Sequence, residues 1–257
     1  MKHIKFLLFL TILFVLVACA PSKTSIPEAT LTPQATSVPI PSPTEKPILP
    51  TATLEPSPTP APLLFRDDFE GSLEEGWNWT RENQKTWSLT ENLGWLEIVT
   101  GSGSIGSGNL DNVLLRQIPD GNFEIETKMD FDPIRDYQLA GLLIYESAAN
   151  HIVFGRAFCD TPNSCVNDGF YMDLTYQSNF DTENFSVPAG DDKIAYLRLR
   201  REENRYTAYA SHDGQEWQLI GEKTSEMKPM FIGLLAGQSM SMPQPAQFDY
   251  FVVNQLP

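Results

Sequence analysis

Short runs in which apolar and polar residues alternate fill most of this chain. Residues 123–129 alternate apolar with charged side chains, and residues 193–201 place Ala195, Leu197 and Leu199 on one face. A period of two is typical of antiparallel strands with one buried face. No window shows the spacing of an amphipathic helix, so the pattern predicts an all-β fold.

Further strands follow from composition and turn residues. Residues 138–146 and 230–237 are apolar nearly throughout, which is typical of central strands covered on both faces. Residues 205–211 follow a short turn and predict a hairpin with residues 193–201. Shorter candidates, bounded by Gly, Asn and Asp, are residues 64–69, 87–90, 95–100, 113–118, 217–220 and 248–253. About a dozen such strands predict two packed antiparallel sheets.

The first 18 residues have the layout of a secretory signal. Lys2 and Lys5 precede an apolar run at residues 6–15, which is shorter than the roughly 20 residues that span a bilayer. Residues 16–19 (LVAC) resemble the bacterial lipoprotein box, which implies cleavage before Cys19 and lipidation of its thiol. We expect an extracytoplasmic protein anchored to the cell membrane at the cell surface by the lipid on Cys19. The alternative is an ordinary secretory signal with a chance cysteine.

Residues 19–62 are predicted to carry the anchor and a disordered linker. Residues 20–62 contain twelve of the 20 prolines, eight threonines and five serines, and they contain no aromatic residue. Such a segment cannot bury enough apolar surface to offset its conformational entropy. Proline favours extended states of about 3.1 Å per residue, which gives a reach of at most roughly 130 Å. The segment is either a stalk or a passive linker, and its composition also fits O-glycosylation.

Residues 63–257 form the predicted folded domain, which contains all five tryptophans. Four of the 18 basic and three of the 33 acidic residues precede Leu63, which leaves the domain at a net charge of −16. Such a surface repels nucleic acid and anionic lipid, so we expect no nucleic-acid partner and membrane contact through the lipid anchor only. It suits neutral or cationic ligands and divalent metals, although solubility outside the cell would also explain the charge.

Cys159 and Cys165 remain once Cys19 is assigned to lipid. Export favours a disulfide between them. The residues between them are turn formers, and the flanking residues 151–158 and 169–177 are strand candidates. We therefore predict a bridge across the loop of a hairpin, with a metal site as the alternative.

A series of motifs carries a family resemblance. In chain order they are residues 65–69 (FRDDF), 77–79 (WNW), 93–96 (LGWL), 123–131 (FEIETKMDF), 140–145 (AGLLIY), 197–201 (LRLRR), 206–209 (YTAY), 211–217 (SHDGQEW) and 246–251 (AQFDYF). In this order they resemble the concanavalin-like C-terminal domain of family 43 β-xylosidases. The resemblance covers nearly all of residues 63–253 and implies an antiparallel jelly-roll sandwich of the concanavalin A/laminin G-like kind.

In that family the sandwich accompanies a separate five-bladed catalytic propeller. The 62 residues that precede the domain are too few to encode one, so we expect a module without that catalytic part. Concanavalin-like sandwiches often hold a calcium ion between their first and last strands. By that resemblance, Asp67, Asp68, Glu70 and Asp249 are the candidate Ca²⁺ ligands. Solvated acids on a strongly negative surface are the alternative.

No catalytic residue is predicted. A jelly roll can itself be a glycosidase, as in laminarinase-like enzymes, whose strand motif Glu-x-Asp-x-x-Glu supplies two carboxylates roughly 5–5.5 Å apart for retention. Residues 124–130 lack the middle aspartate and the last glutamate of that motif and are interpreted as a solvated strand face. His151 and His212 lack the context of a catalytic triad. Residues 101–108 join no strand to a helix and are interpreted as a flexible loop.

The predicted function is binding of a polysaccharide or glycan at the cell surface. Sugars stack on aromatic rings, and polar side chains bind their hydroxyls. The candidate ligand-binding residues, on strands that combine aromatic with charged side chains, are Tyr145, Arg156, Tyr171, Asp173, Arg198 and Arg200. We expect one outer sheet face to carry Tyr171, Asp173, Arg198 and Arg200. The alternatives are that the aromatic rings are buried and that the arginines form structural ion pairs. A hydrolase or lyase with an unrecognised site, and an adhesive or structural protein that binds no sugar, both stay open.

Overall fold

The computed structural model of the chain describes residues 61–161, 165–181, 185–238 and 242–257. The predicted signal peptide, Cys19 and the linker up to residue 60 lie outside the described residues. The strands within them are β1 (Leu63–Asp67), β2 (Asn78–Thr80), β3 (Trp87–Ser88), β4 (Leu96–Val99), β5 (Val113–Gln117), β6 (Phe123–Asp130), β7 (Leu139–Ser147), β8 (Asn150–Cys159), β9 (Asn167–Tyr176), β10 (Asn179–Phe180), β11 (Phe185–Pro188), β12 (Ile194–Glu202), β13 (Arg205–Ser211), β14 (Gln218–Thr224), β15 (Phe231–Gly237) and β16 (Pro245–Gln255). This part of the chain holds no helix capable of crossing a membrane.

The strands form two antiparallel sheets. Sheet I has the order β14-β13-β12-β6-β16-β4-β3, and β1 also pairs with β16. Sheet II has the order β10-β9-β8-β7-β15-β5-β2, and β11 also pairs with β9. The two sheets pack face to face, which confirms the predicted all-β sandwich.

The main core lies between the two sheets. Leu197 and Leu199 of β12 point inward from sheet I, as the alternation predicts, and Ile152 and Phe154 of β8 point inward from sheet II. Each such fully buried side chain contributes roughly 1.5–3 kcal/mol to folding through removal of apolar surface from water. The period-two pattern thus determines which face of each strand is buried in the core.

A second apolar cluster covers part of the outer face of sheet II. Leu143, Val153 and Leu235 point outward there and pack against Ile105 and Leu110, which come from the loop between β4 and β5. This cover explains why β7 and β15 are apolar on both faces, as the sequence predicts.

Three short strands were not predicted from the sequence. They are β2, β10 and β11, of two to four residues each. Strands this short carry no readable alternation, and their pairing with β5 or β9 is what places them in the sheet. Tertiary context of this kind commonly overrides local β-propensity.

A disulfide joins Cys159 to Cys165 with a Cα–Cα distance of 5.6 Å. Cys159 ends β8, and its partner lies just before β9, the strand with which β8 pairs antiparallel. The predicted bridge across a hairpin loop is therefore confirmed.

Candidate functional site

The predicted ligand-binding residues do not share one surface. Tyr171 and Asp173 lie with Tyr145 on the outer face of sheet II, as their register with the outward Val153 and Leu143 requires. Arg198 and Arg200 lie on the outer face of sheet I, because Leu197 and Leu199 point inward. The prediction of a common surface is wrong, because alternation orders residues within a strand but does not say which sheet the strand joins.

The two arginines of sheet I are already engaged by protein groups. Arg198 Nη2 donates to Glu126 Oε2 at 2.7 Å, and its guanidinium lies 3.7 Å from the centre of the Trp217 ring. Arg200 Nε donates to Glu124 Oε2 at 2.5 Å. The pairing of both side chains with carboxylates supports the structural alternative for them.

Arg156 points into the sandwich rather than outward. Its side chain is only 1% exposed, and its guanidinium binds Asp168 through two hydrogen bonds of 2.7 and 2.5 Å. A third hydrogen bond of 2.6 Å reaches the carbonyl of Asp192. Because the guanidinium is buried and makes these three hydrogen bonds to the protein, it is not available at the surface, and the structure favours a structural role for Arg156 over the predicted ligand-binding one.

The four candidate calcium ligands do not form a metal cluster. Both carboxylate oxygens of Asp67 accept hydrogen bonds from the protein, including one of 2.8 Å from Trp77 Nε1. Asp68 pairs with Arg66, and Asp249 pairs with Lys128 at 2.6 Å. Within the part of the chain that the structure describes, no three His, Cys, Asp or Glu side chains are grouped to hold an ion. Protein donors bind the carboxylates of three of the four predicted ligands, Asp67, Asp68 and Asp249.

Three adjoining cavities open on the outer face of sheet II, and we call them together the sheet II groove. Cavity 1, of about 170 Å³, is lined by Ser104, Ile105, Gly106, His151, Val153, Asp173, Thr175, Phe180 and Gln238. Cavity 2, of about 360 Å³, is lined by Tyr137, Leu139, Ala157, Phe158, Cys159, Tyr171, Asp173, Phe180 and Gln238. Cavity 3, of about 420 Å³, is lined by Gly103, Ser104, Ser107, Asn109, Tyr137 and Gln238. Because the lining residues overlap, the three spaces adjoin one another.

The floor of the groove is bare because small residues stand at its centre. Gly155 of β8 lies opposite Tyr171 of β9, and Ala157 lies opposite Gly169. A Cβ atom on Gly155 would lie 2.1 Å from the carbonyl oxygen of Ala140 on β7, so no side chain can stand at this position. The missing side-chain volume is what leaves space beside Tyr171.

The loop between β4 and β5 forms one wall of the groove. Ile105 anchors it to the outer apolar cluster. Ser104 Oγ donates to Ser107 Oγ at 2.9 Å, and the Ser104 amide donates to Asn109 Oδ1 at 2.9 Å. The segment interpreted as a flexible loop is therefore packed on the sheet and held by its own hydrogen bonds.

Tyr137 and Phe180 present exposed aromatic rings at cavity 2. Their exposed fractions are 54% and 55%. Every other Phe, Trp and Tyr side chain in the described residues is buried or half-buried. Tyr137 is held by a hydrogen bond from its amide to the Phe158 carbonyl, and Phe180 lies in β10. Exposed rings beside a cavity are typical of binding surfaces.

Two residues that line cavity 1 each carry a buried acceptor atom without a hydrogen-bond partner. The two atoms are Asp173 Oδ1 and His151 Nδ1. Burial raises the pKa of the Asp173 carboxyl to about 6, an effect that the nearby Lys223 partly offsets. Burial also lowers the pKa of His151, whose side chain is 5% exposed. At pH 7 the carboxyl is therefore mostly ionised and the imidazole neutral, so both atoms accept hydrogen bonds.

The hairpin loop that the disulfide closes positions Tyr171. The phenolic oxygen accepts a hydrogen bond of 3.0 Å from the Val166 amide and donates one of 2.9 Å to the Asn167 carbonyl. Val166 follows Cys165 directly, and Cys159 itself lines cavity 2. The bridge thus fixes the wall of the groove on the side of Tyr171.

Of the residues that line the groove, sequence reasoning predicted only Tyr171 and Asp173 as ligand-binding, and the missed ones include Ser104, Tyr137, His151, Phe180 and Gln238. His151 lies two residues before Val153 on β8 and therefore points to the same face. A prediction that β8 pairs with β9 would have placed His151 near Asp173. The remaining four lie in loops or in the two-residue strand β10, where no periodicity exists to read. Only the register of the sheet and the folding of the loops bring them together.

Comparison with known proteins gives one family match and several structural relatives. The model of the β-xylosidase C-terminal concanavalin A-like domain matches residues 66–254. A xylan 1,3-β-xylosidase from a Vibrio species is 26% identical over 187 residues, which are 66% of this chain and 33% of that protein. The chain therefore spans about a third of the length of this curated relative.

Two solved structures share the fold. The xylan β-1,4-xylosidase from Bacillus halodurans C-125 has a TM-score of 0.64 and 24% identity, and the match covers 81% of this chain and 41% of that one. The GH43 protein BlXynB from Bacillus licheniformis has a TM-score of 0.67 and 19% identity, with 74% and 39% covered. Each match takes in less than half of the solved chain.

Proposed function

Because the chain belongs to the family of β-xylosidase C-terminal concanavalin A-like domains, we propose that it binds a polysaccharide without cleaving it. The sheet II groove is the binding site in this proposal. The anchor is part of the proposal as well: the lipid on Cys19 and the proline-rich segment after it hold the domain at the cell surface.

The observation that carries the proposal is the pair of exposed rings at the groove. Burying an aromatic ring is favourable, so two large rings left in solvent beside a cavity indicate a partner that covers them. A sugar ring offers apolar C–H faces to such rings, while its hydroxyls reach polar side chains deeper in the groove. Asp173, His151 and Gln238 supply those polar side chains.

Xylan fragments are the first ligands to test. The names of two relatives, the Vibrio enzyme and the Bacillus halodurans enzyme, refer to xylan. Arabinoxylan fragments follow because they share the same backbone. The similarity to these relatives is the reason for testing xylan first, and it does not identify the ligand.

An enzymatic function is the second candidate, favoured by the two titratable groups in cavity 1. Burial lowers the pKa of His151 and raises the pKa of Asp173. Shifted pKa values are common at catalytic sites. Glycoside hydrolysis, however, uses two carboxylates, and Asp173 is the only carboxylate among the described residues that line the groove. Non-catalytic binding therefore accounts better for this set of side chains.

The test is isothermal titration of the purified full chain with xylo-oligosaccharides and arabinoxylo-oligosaccharides. Tyr137→Ala and Phe180→Ala should each weaken binding at least about tenfold, equivalent to about 1.4 kcal/mol. Leu219→Ala is the matched control, because this residue is 56% exposed but lies on β14 of sheet I. It should bind as the wild type does.

The same incubations distinguish binding from catalysis. Oligosaccharides recovered afterwards should have their original length, and neither new reducing ends nor unsaturated products should form. Shortened oligosaccharides would establish the enzymatic function instead. No heat with any glycan would leave the adhesive alternative and remove the binding proposal.

A further inference from the structure

Cavity 1 contains two acceptors that the protein itself leaves unsatisfied. A buried polar atom without a partner is unfavourable by about 1–3 kcal/mol and is rare in folded proteins. Three other buried polar atoms in the described residues lack a partner, on Trp87, Arg116 and Tyr206. None of these three residues lines the groove, whereas Asp173 and His151 line the same cavity.

The register of β8 and β9 sets the spacing of the two acceptors. Asp173 lies opposite Val153, and His151 lies opposite Thr175. The two side chains are therefore diagonal neighbours on one face, with Cα atoms roughly 7–8 Å apart. Two such side chains can reach two hydroxyl groups of one small ring.

The tautomer of His151 follows from its other hydrogen bonds. The backbone of Ser147 and Ala148 bonds to the imidazole and favours its protonated form, so the ring donates there. Since Nδ1 has no partner, the donor is Nε2. A neutral imidazole that donates through Nε2 presents Nδ1 as an acceptor.

We propose that cavity 1 binds one neutral sugar unit through two hydroxyl groups, one donating to Asp173 Oδ1 and the other to His151 Nδ1. This inference rests on the proposed function and adds the chemistry of the ligand to it. Phe180 supplies the apolar side of the cavity, and Ser104 and Gln238 supply further polar groups. The volume of about 170 Å³ is below the range of about 300–1,000 Å³ typical of larger ligands, which fits a single unit.

The charges around the cavity select against ionic sugars. A uronate would bring its carboxylate against Asp173 in a domain of net charge −16, and like charges in contact are strongly unfavourable. An ammonium group would approach Lys223, which lies near enough to Asp173 to favour the ionised carboxyl. A hydroxyl group donates to the carboxylate without bringing a charge of its own.

The same geometry makes binding depend on pH. The charged or titratable groups that face Asp173 are His151 from β8, Lys223 from β14, Asp181 after β10 and Tyr171 on its own strand. Protonation of Asp173, with a pKa of about 6, removes the stronger acceptor, and protonation of His151 turns Nδ1 into a donor. Both changes occur as the pH falls, so affinity decreases from pH 7.5 to pH 5 by about tenfold, in proportion to the ionised fraction of Asp173.

The experiment is titration calorimetry of the full chain with xylotetraose between pH 5 and pH 7.5, with tetragalacturonate as the anionic probe of equal length. Asp173→Asn and His151→Phe remove the two acceptor roles. Their matched controls are Asp120→Asn, at an exposed acid, and His212→Phe, at an exposed histidine outside the groove. Circular dichroism of each variant verifies that it folds.

Asp173→Asn should weaken xylotetraose binding about tenfold at pH 7.5 and remove most of the pH dependence, because a neutral amide is a poorer acceptor than a carboxylate. His151→Phe should also weaken binding, both controls should match the wild type, and tetragalacturonate should give no heat. Because the wild-type pH profile needs no variant, it tests the inference even if a substitution disturbs folding.

Two results would overturn this inference while leaving the proposed function intact. One is wild-type binding that depends on Tyr137 and Phe180 but is unchanged in Asp173→Asn and His151→Phe and flat from pH 5 to pH 7.5. The other is equal affinity for tetragalacturonate. Absence of any glycan binding by the wild type would overturn both the inference and the proposed function.

Discussion

The buried carboxyl of Asp173 should make the folded domain less stable at neutral than at mildly acidic pH. Replacing it by asparagine removes the charge that burial disfavours and keeps the shape of the side chain. Asp173→Asn should therefore unfold at higher denaturant concentration than the wild type at pH 7.5 while binding xylotetraose less well. Residues that serve binding commonly lower the stability of the folded protein.

The magnitude follows from the pKa of the group in the two states. Folding raises the pKa from about 3.8 to about 6, so the folded state binds more protons than the unfolded state between these values. The stabilisation is fully present below about pH 3.8 and is lost as the pH rises through about 6. At 1.36 kcal/mol per pH unit, this group costs about 2 kcal/mol of stability between pH 4.5 and pH 7.5.

Urea unfolding of the full chain, followed by tryptophan fluorescence, measures this difference. All five tryptophans lie after residue 62, so the signal reports on the domain. The free energy of unfolding of the wild type minus that of Asp173→Asn should decrease by about 2 kcal/mol from pH 4.5 to pH 7.5. The exposed Asp120→Asn serves as the control. A difference that is the same at both pH values would refute the reasoning.

Three further predictions concern the frame around the groove and the anchor. Replacing Cys159 and Cys165 together by serine should lower the free energy of unfolding by about 2 kcal/mol, as measured in urea, because the bridge closes a short loop; unchanged stability would contradict it. Arg156→Ala should cost about 3–5 kcal/mol in the same assay, because it leaves the carboxylate of Asp168 without its buried partner; a cost below about 1 kcal/mol would show that the pair is not needed. Cys19→Ala should leave the membrane fraction, and mass spectrometry of the wild type should find a lipidated N-terminal cysteine; equal recovery of both from the membrane would rule out the anchor.

The long strands could be predicted from sequence because burial imposes a period on them. In β6 and β12 every second residue faces the core, so the alternation of residues 123–129 and 193–201 reports the fold directly. In β7 and β15 both faces are covered, and the continuous apolar runs report that instead. The hairpin disulfide was predictable because turn-forming residues separate Cys159 from Cys165 and strand candidates flank both cysteines.

The site was only partly predictable, because it depends on which strands become neighbours. Tyr171 and Asp173 share an outer face, as predicted, but Arg198 and Arg200 share a face of the other sheet. Strand alternation alone cannot distinguish these two arrangements. Tyr137 reaches the groove from a loop and Phe180 from the two-residue strand β10, and their role depends on exposure, which the sequence does not reveal.

Hydrogen–deuterium exchange of the full chain, with and without xylotetraose, tests the central claim most directly. Binding should slow exchange in peptides that cover residues 101–109, 136–140 and 170–181, which border the sheet II groove, and mass spectrometry should recover the tetraose intact. Slowed exchange confined to β12, β13 and β14 of sheet I, or a shortened oligosaccharide, would contradict non-catalytic binding in the groove.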